Sequence, residues 1–233
     1  MSFIDTLKKN GLAQSINTLS KALIKGRIFS ENEKAEIAAF IFDHKNPVDR
    51  FTFYPTDAER INGIQLVTGE KTKTQLLANN ALELETLRIL SILTPGDSRL
   101  LQLHEKADHR LQKLCFYNIC ITGECATLSI VFLRYLTALS CDAHGETIDR
   151  GFAVLQQMRD GTGRWRKFPF FYTLLWLTEL TFPQVKNELA YTLPACQRLI
   201  KQYENGRDET SLVRSIILHN ALSMIGTDIH LQV

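Results

Sequence analysis

The chain has 233 residues, 45% hydrophobic and 22% charged, which fits one large domain or two small ones with a sizeable core. Lys and Arg number 27 against 25 Asp and Glu, a net charge of +2, so there is no basic footprint for nucleic acid or an anionic membrane. Only six prolines and twelve glycines interrupt the chain, which favours long helices over strands and turns.

The N-terminus, MSFIDTLKKNG, has no apolar stretch or small-residue cleavage site of the secretory kind. The longest apolar run, Phe168 to Leu177, is far short of the roughly 18 residues that mark a membrane span. The five cysteines (Cys115, Cys120, Cys125, Cys141 and Cys196) include no C-x-x-C pair and read as reduced thiols of a cytoplasmic protein.

Helix follows helix along the chain. Phe3–Lys9 and Leu12–Lys25 form a first pair, and a third helix runs from Ser30, with Glu33 completing a capping box, to His44. The irregular stretch KNPVDRFTFYP, Lys45–Pro55, marks a boundary between N-terminal helices (1–44) and a main body (45–233). Thr56 with Glu59 opens a helix to about Val67, and Thr74–Leu93 is a long leucine-rich helix stopped by Pro95 and Gly96. Asp97 or Ser98 caps the next helix, which runs to about Asn118. Glu124–Leu139 is apolar on nearly all sides, Glu146–Met158 is amphipathic, and Phe170–Leu180 is apolar all round. Gln184–Tyr203 is amphipathic again, and Ser211–Ile225 is mostly apolar.

Buried and half-buried helices therefore alternate across short loops. Stacked αα-hairpins give that pattern, because inner helices touch neighbours on every side while outer ones keep a wet face. A simple up-down bundle would make every helix about equally amphipathic. The expectation is an all-α protein of αα-hairpins, an α-solenoid or a partial α/α-toroid.

The segment RGFAVLQQMRDGTGRW, Arg150–Trp165, resembles the QW motif of terpenoid cyclases and protein prenyltransferases. Arg150, Gly151, Leu155, Gly163 and Trp165 match at the motif's spacing; Val154 replaces the usual aromatic and Arg159 the usual Gln. The resemblance implies that Trp165 staples an outer helix to the next inner helix of an α/α-toroid, with Gly161 and Gly163 permitting the turn. Arg159 is then expected to cap carbonyls or pair with a carboxylate. A broader resemblance, carried by FYPTDAERINGIQLVTGE, LELETLRIL and RDGTGRWRKFPFFYTLLWLTEL, is to an all-helical family of uncharacterised bacterial proteins, and it implies the fold but no activity.

The chemistry of the QW-type enzymes has no counterpart here. There is no D-x-D-D acid and no D-D-x-x-D for magnesium, and Cys141-Asp142-Ala143-His144 reverses the Asp-x-Cys order of zinc prenyltransferases. The dense group Cys141, Asp142, His144, Glu146 and Asp149 reads as a polar loop, with Gly145 ending one helix and acidic residues starting the next. Cys115, Cys120 and Cys125 are five apart, so one helical face cannot hold them, and they read as small buried residues. HEKADH, His104–His109, is not H-E-x-x-H and reads as a solvated helix face. No metal and no cofactor is expected.

What remains is a binding surface. Arg164, Arg166 and Lys167 interleave with Trp165, Phe168 and Phe170, a mixture that holds anions beside a helix N-terminus. Tyr172 and Trp176 sit where an inner helix would face a central cavity, and Glu124 lies at the start of an apolar helix. The expected function is a non-catalytic ligand-binding or scaffold protein with an aromatic-lined groove built from Arg164, Trp165, Arg166, Phe170, Tyr172, Trp176 and Glu124. Its partner is an apolar small molecule or a protein. The alternative is an enzyme on an isoprenoid or other apolar substrate, using Glu124 or Glu179 with a carboxyl pKa raised by burial. A groove lined by paired charges and capped helices favours the first, a buried carboxylate facing a cavity the second.

Overall fold

The computed structural model describes residues 2–46, 50–139 and 141–226, without the side chains of 141–143. The protein is all-α. Among the described residues eleven α-helices occur: α1 (Phe3–Lys8), α2 (Leu12–Ile24), α3 (Glu31–Asp43), α4 (Asp57–Asn62), α5 (Gln75–Leu93), α6 (Ser98–Leu111), α7 (Cys125–Leu139), α8 (Cys141–Gln157), α9 (Phe170–Thr178), α10 (Pro183–Glu204) and α11 (Glu209–Ile225). Among the described residues no helix is long and apolar enough to cross a membrane.

Local chemistry sets the ends. Ser30 and Thr56 each cap their helix through a reciprocal pair with Glu33 and Glu59, and Asp97 caps α6. The helix after Thr56 stops at Asn62 rather than near Val67, because Gly63 turns the chain at a φ of 77°. The next residues fold back on themselves, with Thr72 N–H donating to the Ile64 carbonyl at 2.8 Å and Leu66 N–H to Glu70 at 2.8 Å. The helix after Asp97 ends at Leu111; a separate 3-10 turn follows at Cys115–Asn118. Gly145 does not end a helix either. It lies inside α8, which begins at Cys141.

Packing places α5 at the centre. Apart from Gln75, Leu76 and Ile92, every one of its residues is buried. α2 packs on α5, α5 on α7, α7 on α9, α9 on α11, and α11 on α2, so the contacts close a cycle of five helices. α3 and α6 pack on α5, α8 on α7, and α10 on α9 and α11. One hydrophobic core runs from Leu7 in α1 to Leu222 in α11 and joins the N-terminal helices to the rest.

Candidate functional site

Two of these helices carry charges into the core. Glu83, Glu85 and Arg88 lie on the leucine-rich α5, and Arg134 lies in the middle of the apolar α7. A charge so placed must find a partner, since desolvation without one costs several kcal/mol. Arg134 is 0% exposed. Its guanidinium forks onto Glu179 just beyond α9, Nε donating to Oε2 at 2.8 Å and Nη2 to Oε1 at 2.7 Å. Its Nη1 donates to both Glu85 oxygens at 2.9 and 3.0 Å. Arg88 Nη2 donates to Glu179 Oε1 at 2.7 Å, and the Tyr172 hydroxyl donates to Glu85. Arg88 Nη1 has no hydrogen-bond partner and stands 3.7 Å from Glu85 Oε2.

Arg88, Arg134 and Glu179 of this two-by-two ion network floor a cavity of about 390 Å³. Leu23 and Ile24 come from α2, Ile92 from α5, Thr137 and Ala138 from α7, Leu175 and Thr178 from α9, and Asn220 from α11. All five helices of the cycle contribute, and four of them do so within three residues of the C-terminal end. Those ends gather partial negative charge. Glu179 is enclosed by protein on most sides, yet its side chain is 27% exposed beside the cavity, while Arg134 and Arg88 stay covered. Burial pulls the Glu179 carboxyl up, but the charges of Arg134 and Arg88 outweigh it and hold the group below the usual 4.5. Burial therefore does not give Glu179 the raised pKa expected of an acid.

The other residues singled out in the sequence lie elsewhere. Arg164, Trp165 and Phe170 do cluster, with Arg164 5.3 Å from the Phe170 ring centre and the Trp165 and Phe170 rings 6.0 Å apart. That cluster is at the start of α9, whereas the cavity is at its end. Arg164 and Arg166 are exposed, and Arg166 donates to the Gln157 carbonyl at 3.1 Å. Tyr172 and Trp176 are both fully buried; Trp176 stacks on Phe152 and donates to Thr137 Oγ1 at 3.1 Å. Glu124 stands before the first turn of α7, where its Oε1 accepts the Lys73 N–H at 2.7 Å. None of the seven lines the cavity at the end of α9.

Trp165 ties the loop before α9 to α10. It is 4% exposed, and its Nε1 donates at 3.2 Å to Glu188 of α10, a carboxylate with no exposure. Arg159, in place of the motif's Gln, pairs with the other Glu188 oxygen at 2.7 Å. Asp160 and Tyr191 knit the loop between them. Asp160 Oδ1 accepts the Thr162 and Arg164 N–H groups, and the Tyr191 hydroxyl donates to the Arg164 carbonyl at 2.7 Å. Desolvation raises the Asp160 carboxyl, but hydrogen bonds from the Thr162 N–H and hydroxyl, the Arg164 N–H and the Tyr191 hydroxyl together outweigh it and lower the group to about 2. Gly163 has φ 88°, and a Cβ there would meet the Ala195 Cβ and N at 3.1 Å. Gly163→Ala is therefore expected to lose about 2 kcal/mol from strain alone, read as a lower melting temperature. Gly161→Ala, which opens onto empty space, should cost less.

Two sequence expectations on ligand-type residues change. His104 is half-buried rather than on a solvated face: Nδ1 meets the Tyr135 hydroxyl at 2.7 Å and Nε2 meets Ser91 Oγ at 3.1 Å. Burial lowers its pKa. Cys115, Cys120 and Cys125 are not separate core residues. Only the last is helical, and a 3-10 turn and a loop bring all three sulfurs within 4.8 Å of one another. Desolvation and the neighbouring Cys125 and Cys120 sulfurs push the Cys115 thiol up to about 12, whereas the Thr122 N–H lowers Cys120. Of the group around Cys141, Asp149 accepts from Gln184 at 3.2 Å, and the side chains of Cys141 and Asp142 lie outside the described residues.

The sequence reading missed Arg88, Arg134 and Glu85. The signal was available: a charged side chain inside a helix that is apolar all round has to be paired. Leu23, Ile24 and Asn220 carry no such signal, because only the closing of the cycle brings α2 and α11 beside α5 and α7. No protein-family model matches the chain, and no curated protein or solved structure is significantly similar to it.

Proposed function

We propose that the protein is a non-catalytic binding protein for a small amphipathic molecule, built as a compact ring of αα-hairpins. The single observation that carries this reading is the cavity at the C-terminal ends of the five-helix cycle, apolar in its walls and floored by the Glu179 carboxylate. Its volume of about 390 Å³ suits a molecule of modest size. The polarity of the mouth selects the head group. Helix C-termini and an ionised carboxylate favour a cation or a hydrogen-bond donor over an anion. The apolar body then lies against Leu23, Ile24, Ile92 and Leu175. Ion-paired on two sides, Glu179 holds no proton to donate near neutral pH, which supports binding over acid catalysis on an isoprenoid.

A matched pair of probes tests this. An alkylamine and the carboxylate of equal chain length are each titrated while the melting temperature is followed. The amine is expected to stabilise the protein, by about 2.7 kcal/mol at a hundredfold excess over Kd. Ala138→Trp, which fills the cavity from α7, should remove the response. Equal stabilisation by the carboxylate, or an amine response that survives Ala138→Trp, would sink the proposal. So would an organic extract of the purified protein, free of any ligand by mass spectrometry, together with no response to either probe.

A further inference from the structure

The three-cysteine cluster lies outside the cavity and has no part in the ion network. Its construction is specific. Cys115 opens the 3-10 turn, Cys120 lies in the loop after it, and Cys125 is the first residue of α7. The loop between them is bent back by Ile119, the only non-glycine residue with positive φ among the described residues, at φ 56° and ψ 59°. A β-branched residue pays for that conformation with strain, so surrounding contacts must hold it. They do: Ser129 Oγ on α7 donates to the Cys120 carbonyl at 2.9 Å, and Cys125 N–H donates to the Thr122 carbonyl at 3.1 Å. Thr122 N–H points at Cys120 Sγ at 3.5 Å, the type of contact that supports a thiolate ligand.

The geometry points to a binding site for one thiophilic divalent cation, zinc by its chemistry, held by the sulfurs of Cys115, Cys120 and Cys125. All three sulfurs already lie within 4.8 Å of one another. Tetrahedral zinc with Zn–S bonds of about 2.3 Å sets sulfurs about 3.8 Å apart, so closing the site takes a movement of about 1 Å at most. Cys115 is exposed and the other two are half-buried, which leaves the ion a way in. On binding, each S–H gives its proton to solvent and each sulfur lone pair forms a bond to zinc. No redox step is involved. Three protein sulfurs leave the fourth position to water or an outside ligand, unlike a closed four-ligand structural site.

Cobalt(II) titration of the reduced, metal-free full chain tests the site, because cobalt reports sulfur ligation by colour. About one equivalent is expected to bind, with a sulfur-to-cobalt charge-transfer band in the near ultraviolet that zinc bleaches. Cys115→Ser replaces an exposed side chain and should fold normally by circular dichroism, yet weaken cobalt binding by about tenfold or more. Cys120→Ser and Cys125→Ser should weaken it similarly, and Cys196→Ser, at a buried thiol on α10, should leave the band intact. The absence of a charge-transfer band overturns the proposal. So does a band that survives the Cys115, Cys120 and Cys125 changes, or a disulfide among the three in place of a metal.

Discussion

Arg134→Met should cost about 3–5 kcal/mol. The side chain is about the right length, so little volume is lost. What is lost is the cation that hydrogen-bonds both Glu85 and Glu179, each of which Arg134 holds at 2.7–3.0 Å. Arg88 alone then faces two carboxylates, the buried Glu85 and the partly exposed Glu179. In a chain of this size the melting temperature should fall by about 10 °C. The second half of the experiment separates charge balance from packing. Arg134→Met with Glu85→Gln leaves Arg88 paired with Glu179 and should recover much of the loss. If the single variant melts like the parent, or the double variant is no better than the single, the network does not hold the core as described.

The same network sets an acid limit. Glu179 has a folded-state pKa below its usual 4.5, so its ionised form contributes stability above that value. The contribution is lost as the pH falls below 4.5 and through the folded-state pKa. Arg134→Met removes the largest attraction that depresses it. The difference between parent and variant should therefore shrink in acid, which denaturant melts at stepped pH will read.

Trp165→Ala should lose about 3–5 kcal/mol as well, for a different reason. The ring fills a space between the 158–168 loop, Phe170 at the start of α9, and Tyr191 on α10. Removing it leaves a cavity and takes away one of two donors to Glu188, which is 0% exposed. Arg159 still neutralises that carboxylate, so packing accounts for most of the loss. Trp165→Phe restores most of the ring but not the Nε1 donor and should fall in between. A Trp165→Ala protein with unchanged melting temperature would show that the ring is not a staple.

Much of this was legible in the sequence because helices announce themselves locally. Capping pairs at Ser30 and Thr56, the stop at Pro95–Gly96, and the alternation of apolar and amphipathic segments all depend on residues close in the chain. The same holds for Trp165: two glycines before a tryptophan, flanked by a helix on each side, read as a turn with a buried anchor. The all-α class and the burial of Trp165 follow from such signals. The helix ends that differed did so where a single residue decided the path, as at Gly63, or where a glycine was tolerated inside a helix, as at Gly145.

The candidate sites were decided by tertiary structure. Arg88 and Arg134 are 46 positions apart, and Glu179 is 45 beyond Arg134; only the packing of α5 against α7 and of α7 against α9 makes them one network. Periodicity could assign these helices to the interior, but it carries no information on which end of an inner helix meets which neighbour. So it placed the binding surface at the aromatic start of α9, while the cavity formed at the opposite end, where four helix C-termini converge. The cysteines make the same point at short range. A spacing of five excludes a shared helical face, and the chain brought the sulfurs together by leaving the helix at Ile119, a backbone choice that no residue pattern in the segment specifies. Sequence by itself determined which segments are helical and which are buried, because hydrophobic periodicity and capping are local. Tertiary structure alone decided which buried charges meet and where space remains, because those depend on contacts between residues far apart in the chain.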